Sequence, residues 1–314
     1  MSRTVAWVAW LLVAGVAGFL PAAEFALERT DDGVTVKRDG KLLTRYLIKS
    51  GTKPILWPLL GPYGDEMTRQ YPMRPGVQGE RADHPHQRSF WFTHGSVNGV
   101  SFWEESAKAG QIVHREFVKV ASTPQPTIVT RNDWIGPGDK KQCEDERRVS
   151  FGVDGENVWI DFDITLTATP GPVKFGDTKE GTFGLRVAET LKVDAKQGGH
   201  IVNSAGQTDG AAWGQSAAWC DYYGPVGGKT VGIAVLNHPR SFRFPTYWHV
   251  RTYGLYAANP FGLGDFTKRQ KDGTHLLEKG QSLGLYYRVL LHKGDDKEGQ
   301  VAEAFQRYSA LPKP

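Results

Sequence analysis

A chain of 314 residues with 38 basic and 34 acidic side chains carries a formal charge of only +4, and its lysines and arginines form no long block. This balance argues against a nucleic-acid-binding face, and the length allows a core that needs no disulfide staples. Only Cys143 and Cys220 are present, so one disulfide is permitted and not required.

Arg3 is followed by an uncharged run from Thr4 to Ala23, mostly apolar from Val5 to Phe19, and then by Glu24. A basic end, an apolar middle and small residues describe a secretory signal over residues 1–23. Residues 24–314 are then expected to be one β-sandwich domain, periplasmic or secreted. The competing reading is an uncleaved anchor, since the run approaches the roughly 20 residues of a membrane span. No later stretch is apolar enough to span, so no membrane contact is expected after cleavage.

From Phe25 onward the apolar residues follow the period of strands. Phe25 and Leu27 alternate with Ala26 and Glu28, Val34 and Val36 with Thr35 and Lys37, and Arg38-Asp39-Gly40-Lys41 is a turn before Leu42 to Ile48. The clearest alternation sends Val158, Ile160, Phe162, Ile164 and Leu166 to one face and Trp159, Asp161, Asp163, Thr165 and Thr167 to the other. Asp154-Gly155 before it predicts a hairpin whose other arm is Val149 to Val153. Further strands are expected over 112–121, 127–132, 181–187, 230–237 and 282–291. One helix is expected from about 296 to 309, where Val301, Ala304, Phe305 and Tyr308 share a face. Many strands and one terminal helix predict an all-β fold, a large antiparallel β-sandwich.

The loop from Leu59 to Asp83, rich in proline and glycine, leads into the densest chemistry of the chain. Asp83-His84-Pro85-His86-Gln87-Arg88-Ser89-Phe90-Trp91-Phe92-Thr93-His94 holds three of the nine histidines, followed by Asn98-Gly99 and Phe102-Trp103-Glu104. On an extended segment the rings of His84 and His86 point to one side, and Pro85 favours an extended His84. Such histidines can transfer protons, can chelate a metal with His94 or a distant carboxylate, or can be structural. A second polar and aromatic region, Phe244-Pro245-Thr246-Tyr247-Trp248-His249-Val250-Arg251 to Asn259-Pro260-Phe261-Gly262, is expected to face the first across a cleft.

Arg88, Arg186 and Arg251 can fork onto carboxylates of substrate or protein. Glu104 and Glu180 are candidate bases, because desolvation raises a carboxylate's pKa toward working pH. Asp221, in Trp219-Cys220-Asp221-Tyr222-Tyr223, needs a hydrogen-bond partner. Among ten tryptophans, Trp91, Trp103, Trp134, Trp213 and Trp248 are platforms for a sugar ring or filling for a wide core. GxSxG, P-loop, GxGxxG and HExxH patterns are absent, which leaves hydride transfer and common serine or zinc hydrolysis poorly supported.

The run from Asp83 to Gly95, with Asn98-Gly99 and Phe102-Trp103, resembles the hallmark of a secreted bacterial family of unknown function, abundant in planctomycetes and often catalogued under a methane-oxygenase subunit name. That family's usual form has a histidine where this chain has Gln87. Glu180-Gly181-Thr182-Phe183-Gly184-Leu185-Arg186, Pro245 to Arg251 and Asn259 to Gly262 are similar to it as well. The oxygenase name implies an integral membrane enzyme, which the absence of an internal span opposes. The resemblance implies instead a sandwich like the supersandwich of galactose mutarotases, in which a histidine acid and a carboxylate base act on a sugar.

The expectation is therefore an exported carbohydrate-active enzyme, an epimerase, lyase or hydrolase. His84, His86, His94 and His249 are its acids and hydroxyl binders and Glu180 or Glu104 its base. Arg88, Trp91, Asn98, Trp103, Arg186, Asp221, Trp248, Arg251 and Asn259 are expected to bind substrate. No cofactor is expected, although a divalent metal on the histidines, in an oxygenase or hydrolase, is one alternative. A noncatalytic carbohydrate-binding protein is the other. The expected partner is a carbohydrate, with no nucleic acid.

Overall fold

The computed structural model describes residues 23–313, so the expected signal lies almost wholly outside the described residues. Two eight-stranded antiparallel sheets pack face to face. The front sheet runs in the order Phe25–Thr30, Gly33–Arg38, Lys41–Ser50, Lys53–Leu59, Phe90–His94, Gly181–Arg186, Leu255–Asn259, Tyr247–Val250. The back sheet runs His200–Asn203, Trp219–Val226, Lys229–Asn237, Ser282–Lys293, Asn157–Thr167, Lys140–Asp154, Thr127–Gly136, Gln111–Ala121. Val173–Phe175 and His275–Leu277 form a small separate ribbon. This is the antiparallel sandwich that the alternating sequence predicts.

Alternation decides what enters the shared core. Val158, Ile160, Phe162, Ile164 and Leu166 point inward from the back sheet, and Phe90, Phe92, Phe183 and Leu185 meet them from the front. The Phe90 and Phe92 rings lie 5.4 and 6.1 Å from Phe162, and Phe183 lies 4.6 Å from Tyr287. Burying each such side chain is worth about 1.5–3 kcal/mol.

The Asp154-Gly155 hairpin forms, with Gly155 in the left-handed region and an arm that reaches back to Lys140 rather than Val149. The outer face of the back sheet is covered by the terminal helix, which packs Val301, Ala304 and Tyr308 on Trp219, Leu236 and Leu290. That helix spans Val301–Ser309 and begins five residues later than expected. Gln300 has φ 52°, and a side chain at Gly299 would meet the His292 ring, so the chain turns here before it coils.

Strands with both faces covered escape the alternation signal. Phe90–His94 and Leu255–Asn259 are buried along their whole length and were not predictable as half-exposed strands. Cys143 and Cys220 are both buried and unbridged. No helix among the described residues is long and apolar enough to cross a membrane.

One ionic network sits inside the sandwich. Asp145 accepts hydrogen bonds from Asn132 Nδ2 at 2.7 Å, Trp134 Nε1 at 2.6 Å and both Arg147 Nε and Nη2 at 2.9 Å. Arg147 also lies 6.0 Å from the Phe92 and Phe162 ring centroids. Desolvating two charges is repaid only while both remain. Asp145→Ala is therefore expected to cost about 3–5 kcal/mol in urea unfolding, and a loss under about 1 kcal/mol would mean that water reaches Arg147.

Candidate functional site

The same alternation that fills the core sends Trp91, Gly184, Arg186, Leu255, Ala257 and His249 to the outer face of the front sheet. Trp91 lies flat there across Gly184, where a Cβ would stand 2.6 Å from the indole ring. Trp103 comes over the top, 5.5 Å from Trp91 and edge-on to it. Its segment is held down by Glu105, which accepts a forked pair from Arg88 at 2.7 and 2.6 Å and a third bond from buried Lys53 at 2.8 Å. Burial lowers the Lys53 pKa to about 8, against the pull of Glu105.

The first wall of the site is the turn of residues 83–87, fastened by two buried guanidinium groups. Arg69 donates to Asp83 Oδ1 at 2.5 Å and to the carbonyls of Asp83 and His84 at 2.9 and 3.1 Å. Arg186 donates to Gln87 Oε1 at 2.5 Å and to Asp83 Oδ1 at 3.2 Å. Burial would raise the Asp83 pKa, but Arg69, Arg186 and His84 together bring it below the usual carboxylate value. His84 is not extended as Pro85 had suggested. It has φ 44°, and the Gln87 N–H donates to its carbonyl at 3.0 Å, so the turn rather than a strand brings the two rings together. The His84 ring stacks on Tyr253 at 5.6 Å and meets His86 edge-on at 5.8 Å, and His86 tilts toward Trp103 at 6.0 Å. His84 Nδ1 lies 3.3 Å from Asp83 Oδ1, which orients the ring.

The opposite wall carries Lys179, Glu180, His249, Arg251 and Tyr253. Asn259 fastens its first part: Nδ2 donates to the Thr178 carbonyl at 2.9 Å, while Oδ1 accepts from the N–H groups of Phe261 and Gly262. His249 Nδ1 donates to the Lys179 carbonyl at 2.8 Å, which leaves Nε2 of the neutral ring as an acceptor. Burial lowers the His249 pKa to about 4. Burial, helped by Lys53 and His84, does the same for His86, also to about 4. The Glu180 pKa moves the other way: burial raises it, Lys179 opposes, and Asp265 and Glu104 add to the rise.

The walls meet around a cavity of about 240 Å³ lined by His84, His86, Gln87, Trp103, Glu104, Lys179, Glu180, His249, Arg251 and Tyr253. Seven residues singled out from the sequence are thus brought together: His84, His86, Trp103, Glu104, Glu180, His249 and Arg251. Three were missed. Lys179 precedes Glu180, Tyr253 lies two residues past Arg251, and Gln87 was noted only for the histidine it replaces.

The other candidates lie elsewhere. His94 points into the sandwich, where its Nε2 donates to the Gly176 carbonyl at 2.9 Å beside Phe175 and Phe261, and burial lowers its pKa to about 4. Trp248 also points inward and donates from Nε1 to the Ala217 carbonyl at 3.0 Å. Asn98 is an exposed turn residue with φ 51°, bonded to Lys174 and Gln142. Asp221 is fully buried in the back sheet against His292 Nε2 at 3.1 Å. Arg88, Trp91, Arg186 and Asn259 stand behind the walls and hold them. No group of three or more His, Cys, Asp or Glu side chains among the described residues is arranged to hold a metal ion.

Fold and site together define a large antiparallel β-sandwich protein with a concave pocket of imidazole, carboxylate, guanidinium and aromatic groups on the outer face of one sheet. The chain belongs to the family described as "Family of unknown function (DUF6807)", whose model matches residues 33–306. No curated protein matches the sequence. A galactose mutarotase-like protein from Lactobacillus casei is similar over 85% of this chain and 100% of its own, at 11% identity and a TM-score of 0.40. Another from Clostridium acetobutylicum is similar over 87% and 99%, at 7% identity and a TM-score of 0.42. A GH36 alpha-galactosidase from Geobacillus stearothermophilus is similar over 87% of this chain and 41% of its own, at 12% identity and a TM-score of 0.40.

The neutral imidazoles give the site a pH signature. A histidine whose folded pKa is lowered takes up its proton on unfolding, so its contribution to stability is full above pH 6.5 and is lost as pH falls toward about 4. The imidazole resonances of His86 and His249 are expected to titrate near pH 4 in the folded protein. His94→Gln should flatten the slope of stability against pH in that window by about 1.4 kcal/mol per pH unit. Titration of these rings near their ordinary value would show that water solvates them.

Proposed function

We propose that the chain is an exported carbohydrate-active enzyme that binds a sugar in this pocket and moves a proton with Glu180. What supports the reading is the pairing of a carboxylate of raised pKa on one wall with an oriented imidazole, His84, on the other. A carboxylate that desolvation makes more basic is suited to taking a proton from a hydroxyl or from a carbon beside a carbonyl. His84, held by Asp83, is the group to return a proton from the far side. Epimerisation, elimination and hydrolysis all need these two roles.

His86 and His249 take a different part from the acid role that the sequence suggested. A ring whose pKa is lowered to about 4 is neutral at neutral pH and makes a poor acid. It can instead bind hydroxyl groups: His249 through its free Nε2, and His86 through nitrogens that no side chain of the described residues engages. Tyr253 and Trp103 supply the flat apolar surface on which the carbon–hydrogen face of a sugar ring packs. Lys179 and Arg251 complete the polar rim.

Turnover of a glycan panel followed by mass spectrometry tests the assignment. Glu180→Gln is expected to lower kcat by about 10²–10⁴ while sugar affinity stays within a few-fold, and His249→Ala should weaken affinity more than it lowers kcat. Full turnover by Glu180→Gln would remove the proton-transfer role. Sugar binding with no product from any member would identify a noncatalytic carbohydrate-binding protein instead.

A further inference from the structure

Most of the buried or half-buried arginines near the two sheets are matched by a carboxylate. Arg88 is paired with Glu105, Arg147 with Asp145, Arg186 with Asp83 and Arg288 with Asp161. Arg251 is different. Among the described residues no carboxylate lies within 4 Å of its guanidinium, and none of its side-chain N–H groups finds a protein acceptor. It is held by rings instead, with Cζ 5.8 Å over Trp213 and 5.6 Å over Tyr253. Aromatic faces steady a cation without using its donors, so the N–H fork stays available.

Arg251 also lines two cavities at once. It lines the pocket already described and a second one of about 290 Å³, lined with it by Gly210, Trp213, Val250 and Thr252. The Trp213 ring stands nearly perpendicular to both His249 and Phe266, at 6.4 and 5.7 Å. Its Nε1 is buried without a hydrogen-bond partner among the described residues. Around the first cavity Lys179 and Arg251 stand against Glu104 and Glu180, so the formal charge balances, but the pairing is uneven: Lys179 lies 3.6 Å from Glu180, while no carboxylate of the described residues reaches Arg251. What the groove lacks is a local acceptor at the edge of this planar guanidinium. A carboxylate can accept two parallel N–H bonds from such a fork.

We propose that the two cavities form one groove for an acidic saccharide, in which Arg251 binds the carboxylate of a uronic acid unit and Trp213 flanks the neighbouring ring. The inference rests on the sugar reading above and adds the substrate class. Glu180 then stands within the same groove as a carboxylate-bearing ring, and the acid group of the substrate, rather than a protein side chain, neutralises Arg251.

Calorimetric titration of the full chain with digalacturonate, with the neutral disaccharide galactobiose and with a sulfated galactose disaccharide tests it. Digalacturonate is expected to bind at least about tenfold tighter than its neutral counterpart, a preference that shrinks as salt rises. Arg251→Gln should abolish that preference, and Arg251→Lys should keep part of it. Equal affinity for acidic and neutral disaccharides, or a preference that survives Arg251→Gln, would overturn the uronate assignment and leave the sugar reading standing. Tighter binding of the sulfated sugar would overturn the carboxylate. Failure of all three to bind would overturn both this inference and the sugar reading.

Discussion

The wall of the pocket that carries His84 and His86 depends on Asp83 being held between two buried guanidinium groups. Arg69 and Arg186 are each almost completely removed from water, and an arginine in that position requires a carboxylate or several carbonyls to stay folded. Asp83, the Gln87 amide and the carbonyls of Asp83 and His84 supply them. The long proline-rich loop before them therefore has one place to end. Because Arg186 is on the interior strand Gly181–Arg186, the turn that carries His84 and His86 is fixed directly to the front sheet. A histidine where Gln87 stands would bring a ring and a titratable nitrogen to the place where this chain offers Arg186 an amide oxygen.

The opposite wall is built by a different device. Backbone carbonyls of residues 178 and 179 are held by Asn259 and His249, so two side chains on the last two strands of the front sheet position a segment that precedes Gly181–Arg186. The price of using His249 in this way is its charge: burial favours the neutral ring and outweighs the Lys179 carbonyl, which favours the protonated one. The result is a site in which most imidazole is uncharged, one carboxylate is made more basic, and one guanidinium is left without a carboxylate. Three chemically different kinds of group therefore stand in one cavity.

Aromatic side chains divide along the same lines. Trp91 and Trp248 are on adjoining regions of one sheet, yet Trp91 faces outward to carry Trp103 and Trp248 faces inward to the core. Only the residues one layer further out, Trp103, Trp213 and Tyr253, reach the cavities. An abundance of tryptophan near polar residues marks the region and cannot separate platform from support, because a strand sends alternate side chains to opposite sides.

The residues by themselves determined the fold class and the neighbourhood of the site. Period-two alternation in segments such as 25–28, 34–37 and 158–167 pointed to an antiparallel sandwich, the face shared by Val301, Ala304 and Tyr308 pointed to the terminal helix, and the two polar, aromatic segments around His84 and His249 were legible as walls of one cleft. Their convergence, and which members of each segment take part, was decided only by tertiary structure. His94 ends a strand and points into the core whereas His86 is on the turn beside the cavity, Arg186 differs from Arg251 by the presence of Asp83, and Glu180 differs from Glu105 by how few cations surround it. Burial and pairing across residues far apart in the chain set each of these outcomes, and neither has a local pattern to be read.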